Sequence, residues 1–296
     1  MTEIHRYLSV ADILISHKTN NKNMDVFFHK EFTISDKNNR KCLDKINISF
    51  SSNNFFKLSE YKEIYDNSKY YLWRIFKSDD YKPYIIAFYK KPEEQLNRPY
   101  KMLLADNNFK NIYIVNKNGK SSIHPYSYIH TLIISSFLNL NKKGILLHSA
   151  MFVKDGKGFL FSGNSGEGKT TLSKLLINSN YGEIITDERV VIRKLNKNFY
   201  SYGTPWFGTK SLHKNKSAVI NKIFFLSHSK ENKIRRLSSL EAANKLMTRA
   251  FPTFWHKDGL EFALDFCSSI ASEIECYEFG FVPDNSAVKY IMQFTF

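Results

Sequence analysis

The chain has 296 residues, 43% hydrophobic and 15% aromatic, which suits one large domain or two of ordinary size with apolar mass enough for a core. Its formal charge of +15 favours encounters with anions such as nucleotides or acidic peptides. No dense Lys/Arg block tracks a nucleic-acid backbone, so nucleic acid is not expected as a partner. The longest apolar runs, such as Thr131–Leu140, fall far short of a bilayer span, and no membrane role is expected. Cys42, Cys267 and Cys276 form no CxxC pair and no Cys/His ligand spacing, and read as buried thiols in a reducing compartment. The N-terminal stretch carries early charge and no long apolar run, so no signal peptide is expected and a cytoplasmic location is the default.

Residues 1–125 have the grammar of strands and turns. Tyr70–Phe76 and Tyr84–Tyr89 flank the polar turn Ser78–Lys82, a hairpin signal. Asn111–Val115 followed by Asn118-Gly119, a favoured tight-turn pair, is a second. This half carries no chemical motif and reads as a smaller β-rich domain of unassigned role.

From Pro125 the pattern changes. Ile129, Leu132, Ile133, Ser136, Phe137 and Leu140 recur at helical spacing within Tyr126–Leu140. Ile145–Val153 has the composition of a buried strand, Asp155–Gly158 makes a tight turn, and Phe159–Ser162 is a second strand. These open a second domain, 126–296.

The second strand runs into Gly163-Asn164-Ser165-Gly166-Glu167-Gly168-Lys169-Thr170, which fits GxxxxGK[ST] in full. Thr171 and a helix with Leu172, Leu175 and Leu176 on one face follow it. Glycines let such a loop turn its N–H groups toward phosphate oxygens, and the helix offers its positive end to the same phosphates. Lys169 is placed to reach the β- and γ-phosphates, and the Thr170 hydroxyl to ligate Mg²⁺. The pattern points to ATP, or another nucleoside triphosphate, with Mg²⁺.

A triphosphate site needs a carboxylate for its metal. Ile184-Ile185-Thr186-Asp187-Glu188 supplies a pair at the end of a β-branched run, only eighteen residues past Lys169. His148 lies fifteen residues before Gly163. If its strand neighbours Phe159–Ser162, it lies beside the loop; otherwise it is a packed core histidine.

Leu147-His148-Ser149, a short hairpin, the loop 163–170, a short helix and Ile185–Val190 (ITDERV) together resemble the C-terminal kinase domain of the HPr kinase/phosphorylase family. That family carries an upstream His, a GDSGxGKS-like loop and a DDR-like acidic segment at this spacing. Tyr202–Trp206 (YGTPW), Lys222–Leu226 and Leu237–Leu246 resemble the broader group of HPr kinase-like proteins, which are often associated with peptide-modification systems. The resemblance covers about residues 126–296. It implies an α/β phosphate-loop fold related to nucleotide-dependent phosphoenolpyruvate carboxykinase, use of ATP and Mg²⁺, and phosphoryl transfer to a Ser hydroxyl of a protein or peptide. By position it gives Lys169 and Thr170 to phosphate and metal, and sets His148, Asp187 and Glu188 near the transferred group. Glu188 replaces the family's second Asp, which leaves open which acid binds metal and which takes the proton; Asp187 is the residue expected to serve both metal and base chemistry, with Glu188 and His148 assisting. No counterpart of the Arg-containing segment beyond the acid pair is assignable in 200–296.

Arg189, Arg193, Arg235 and Arg236 are candidates for phosphate contact or for ordinary salt bridges. Tyr202–Thr209 reads as a lid or as a core seal. Ser238-Ser239-Leu240-Glu241 is a capping-box pattern, Leu260–Ala271 a helix and Glu275–Val282 a strand. Two alternatives stay open: a nucleotide-binding module without phosphotransfer that serves a maturation partner, and a phosphoenolpyruvate carboxykinase-like enzyme. A homo-oligomer is compatible with the sequence.

Overall fold

The computed structural model describes residues 4–19, 30–35, 42–51, 57–67, 69, 72–78, 83–90, 99–116, 128–164, 166–208 and 212–295. The Asn118-Gly119 turn and Ser165 of the glycine-rich loop lie outside them. The chain divides into two compact units, Met1–Ile133 and Ile134–Phe296.

The first unit is built on β1 (Ile4–Val10), β2 (Ile13–Thr19), β3 (Thr33–Ile34), β4 (Asp44–Ser51), β5 (Lys62–Asp66), β6 (Trp73–Lys77), β7 (Tyr84–Phe88), β8 (Lys101–Ala105) and β9 (Asn111–Asn116). Among the described residues they form one nine-stranded sheet in the order β3-β1-β2-β4-β9-β8-β7-β6-β5. Strand β2 shows why: Ile13, Ile15, His17 and Thr19 alternate inward, the period-2 pattern of a half-buried strand. The hairpin expected around Ser78–Lys82 is β6–β7, with Trp73 opposite Phe88 and Phe76 opposite Ile85. Strand β9 instead pairs back onto β8, and in parallel onto β4. Long-range pairing of this kind leaves no local sequence signal.

The helix α1 (Tyr128–Leu140) leads into the second unit. There follow β10 (Ile145–Lys154), β11 (Lys157–Ser162), α2 (Lys169–Asn178), β12 (Glu183–Thr186), β13 (Arg189–Leu195), β14 (Asn198–Gly203), β15 (Ser217–His228), β16 (Lys233–Arg236), α3 (Ser239–Met247), α4 (Lys257–Glu273), β17 (Glu275–Phe281) and α5 (Asn285–Thr295). A mixed sheet runs β11-β10-β13-β14-β15-β17-β16, with β12 beside β10. Both of its faces are apolar. Leu147, Met151, Leu160 and Phe225 pack against Leu246 of α3 and Phe266 and Ile270 of α4. Phe152, Phe161, Phe224 and Phe279 pack against Leu172 and Leu176 of α2 and Ile291 of α5. Alternate residues of one strand thus serve opposite cores, which is why these strands read as continuous apolar runs.

Strand β11 lies parallel to β15, and β15 parallel to β17. Their carboxyl ends fall together, and there the glycine-rich loop leaves Ser162. In open α/β sheets this is where ligands gather.

Candidate functional site

The loop between β11 and α2 takes a shape that its glycines require. Gly166 and Gly168 have φ of 88° and 92°, in the left-handed region where a side chain is strained. A Cβ on Gly168 would also stand 2.7 Å from the Phe281 ring at the end of β17. Helix α2 begins at Lys169, with Gly168 as its N-cap and no side-chain cap, so its first N–H groups face the loop. Lys169 is buried. Its ammonium donates to the Gly163 carbonyl at 2.5 Å and to the Asn164 carbonyl at 3.3 Å. Thr170 is half-buried and Thr171 exposed.

His148 is brought here by the β10–β11 register. Ser149 lies opposite Ser162, so His148 stands just past the last residue of β11, and the Ser162 hydroxyl donates to its carbonyl at 2.9 Å. On its other side β10 pairs with β13, His148 opposite Arg189. The expectation that the two strands are neighbours holds. The histidine Nδ1 is 3.6 Å from Glu188 Oε1. Burial, then the cations Lys169, Arg189 and Arg249, hold its pKa down at about 4 against a hydrogen bond with the Glu188 backbone, so the ring is neutral at pH 7.

Asp187 is 2% exposed. Its Oδ1 accepts from the Gly208 N–H at 2.9 Å, while Oδ2 is buried without a hydrogen-bond partner among the described residues. A buried carboxylate served by one backbone amide is costly unless a cation completes it. Glu188 is half-buried and within 3.8 Å of the Arg189 guanidinium. The Lys169 pKa is lowered, by burial first. Glu188, Glu167 and Asp187 pull it back up and Arg249 pushes it down, so all four groups lie within electrostatic reach of the lysine.

Arg249 does not stand out in the sequence. It follows α3, and its segment runs along the start of β10: Ala250 bridges Leu147, and the His148 N–H donates to the Arg249 carbonyl. The buried guanidinium is 3.3 Å from Glu167 Oε2, donates to the Lys245 carbonyl and the Thr248 hydroxyl, and lies over the Phe225 ring at 5.3 Å. The one signal in the sequence is a lone charge in the mostly apolar run Leu246–Phe251. Of the arginines read as candidates, Arg189 lies beside Glu188. Arg193 is buried in the core, and Arg235 and Arg236 form exposed ion pairs with Glu241, Glu278 and Glu275.

The end of β14 and the described residues after it, 204–208, frame the acid pair. Thr204 donates to the Arg189 carbonyl at 2.6 Å, Thr186 to the Trp206 carbonyl at 3.3 Å, and Gly208 to Asp187. Trp206 is 2% exposed, beneath the Arg189 guanidinium, and seals the core; Phe207 is 36% exposed and stacks on His213.

Residues 120–264 match the family model described as SynChlorMet cassette protein ScmC. Among solved structures the chain is similar to the Hpr(Ser) kinase/phosphatase from Coxiella burnetii. Identity is 13%, over 50% of this chain and 91% of that one, with a TM-score of 0.30. A TM-score that low leaves fold and activity to be judged from this chain's own residues. None of the curated proteins matches the chain.

Among the described residues no group of three His, Cys, Asp or Glu side chains could hold a metal alone. The buried Asp187 carboxylate lies within electrostatic reach of the loop lysine, and with the loop's Thr170 it would suit a Mg²⁺ that keeps most of its oxygen ligands from phosphates and water. No described helix is long and apolar enough to cross a membrane.

Proposed function

We propose that the second unit binds ATP with Mg²⁺ and transfers the γ-phosphoryl group to a hydroxyl, a Ser of a protein or peptide. The observation that carries this reading is Asp187 Oδ2, a buried carboxylate oxygen without a partner among the described residues, within electrostatic reach of the lysine of a complete phosphate-loop sequence. Loop amides and Lys169 would hold the phosphates, and Thr170 and Asp187 the metal. Bound there, Mg²⁺ would neutralise charge on the β- and γ-phosphate oxygens.

The choice between the acids follows from their surroundings. Asp187 is enclosed and points one oxygen at nothing, which suits a metal ligand. Glu188 is half-buried beside a neutral His148, which suits the proton acceptor. In this reading the acceptor hydroxyl gives its proton to the Glu188–His148 pair. Its oxygen bonds to the γ-phosphorus as the bond to the β–γ bridging oxygen breaks, and ADP leaves. Phosphoryl transfer passes through a loose transition state in which the proton moves late, so a weak base suffices. Lys169 and Arg249 add positive charge near the transferred group.

The test is incubation with γ-labelled ATP, Mg²⁺ and Ser-containing peptides or candidate partner proteins. Label on a Ser, lost in Lys169→Ala and Asp187→Asn, is the expected result. Nucleotide binding without label on any acceptor would favour a binding module over a kinase.

A further inference from the structure

We propose that Glu167 is a built-in occupant of the phosphate loop: its carboxylate holds the loop closed on itself until nucleotide phosphate displaces it and takes over Arg249. The inference rests on the nucleotide reading above and adds a regulation to that site. Three contacts carry it. Glu167 Oε2 accepts the Asn164 backbone N–H, one of the loop amides that a phosphate would use. Oε1 accepts from the Asn164 side chain at 2.9 Å. Oε2 also pairs with the buried Arg249 guanidinium at 3.3 Å. A carboxylate that takes a loop amide and a buried arginine together imitates a phosphate oxygen in both charge and partners.

The lysine completes the closed arrangement. Lys169 does not extend over the loop but folds back onto the carbonyls of Gly163 and Asn164. Three of the groups expected to greet phosphate are therefore engaged by the protein itself: an amide, the loop lysine and a guanidinium. Burial alone would raise the Glu167 pKa, but the bonds from Asn164 and Arg249 outweigh it and hold the group ionised.

Displacing an internal occupant weakens the apparent affinity by the fraction of molecules in the open form. Two variants of the full chain test this by calorimetric titration with ATP·Mg²⁺, after thermal melts confirm folding. Glu167→Gln removes the charge. Glu167→Asp keeps the charge but is one methylene too short to reach Asn164 and Arg249 together. Both should bind ATP roughly tenfold tighter than wild type, the loss of a closed form dominant by about that ratio. If Glu167→Asp binds like wild type while Glu167→Gln binds tighter, only the charge matters and the latch is overturned. Weaker binding by Glu167→Gln overturns it too, and leaves the nucleotide reading standing. Absence of ATP binding by all three proteins overturns the nucleotide reading and the latch with it.

Discussion

At the scale of single residues, the site is organised by groups whose own needs are unmet. Asp187 is buried with a spare oxygen, and His148 is neutral because burial and three neighbouring cations forbid its charge. The second point has a sign that can be checked. A histidine held near pKa 4 does not titrate between pH 6 and 8. The kcat/KM for transfer should be flat there and fall only as His148 protonates toward pH 4. A rising limb centred near 6.5 would show a solvated histidine instead. Gly168 is a second residue-scale case. Gly168→Ala places a Cβ at a φ of 92° and against the Phe281 ring. It should cost about 1–3 kcal/mol, read as a lower denaturation midpoint, and weaken nucleotide binding because the loop must shift.

Elements carry the site by their ends. Helix α3 begins with a full capping box, Ser238 with Glu241, and ends just before Arg249. Ser238→Ala should cost about 1 kcal/mol by chemical denaturation. In the first unit, His130 at the start of α1 meets His17 of β2, Nε2 to Nε2 at 3.0 Å, both buried. Both pKa values are lowered by burial first, then for His17 by His130 and for His130 by Lys101, which brings His130 to about 4. As pH falls below 6.5 the unfolded chain takes up protons that the folded unit refuses. Stability present above that pH is therefore lost progressively between 6.5 and 4. Thermal melting at pH 5 should fall below that at pH 7.5, and His130→Gln should shrink the difference. The elements around the loop were legible because each is local. The β-branched run, the glycine loop, the helical stripe of Leu and the Ser-x-x-Glu cap are each read from residues only a few positions apart. Arg249 was not, because strand pairing brings it to the site: its place depends on Ala250 bridging Leu147, a hundred residues earlier.

For the whole molecule, the same contrast separates the units. The second carries in one motif the sequence on which its proposed chemistry rests. The first offers alternation and turns, yet the parallel joins β2–β4 and β4–β9 could not be read from either strand alone. The +15 charge also acts at this scale. ATP affinity should weaken severalfold between roughly 0.05 and 0.5 M salt as the attraction is screened. The central claim is that a phosphate loop and Asp187 share one Mg²⁺ with a bound triphosphate. Titration calorimetry with ATP, with and without Mg²⁺, on wild type and Asp187→Asn tests it most directly. The account predicts that Mg²⁺ tightens ATP binding in the wild type and barely alters it in Asp187→Asn. An equal Mg²⁺ effect in both proteins, or no ATP binding by the wild type, would contradict it.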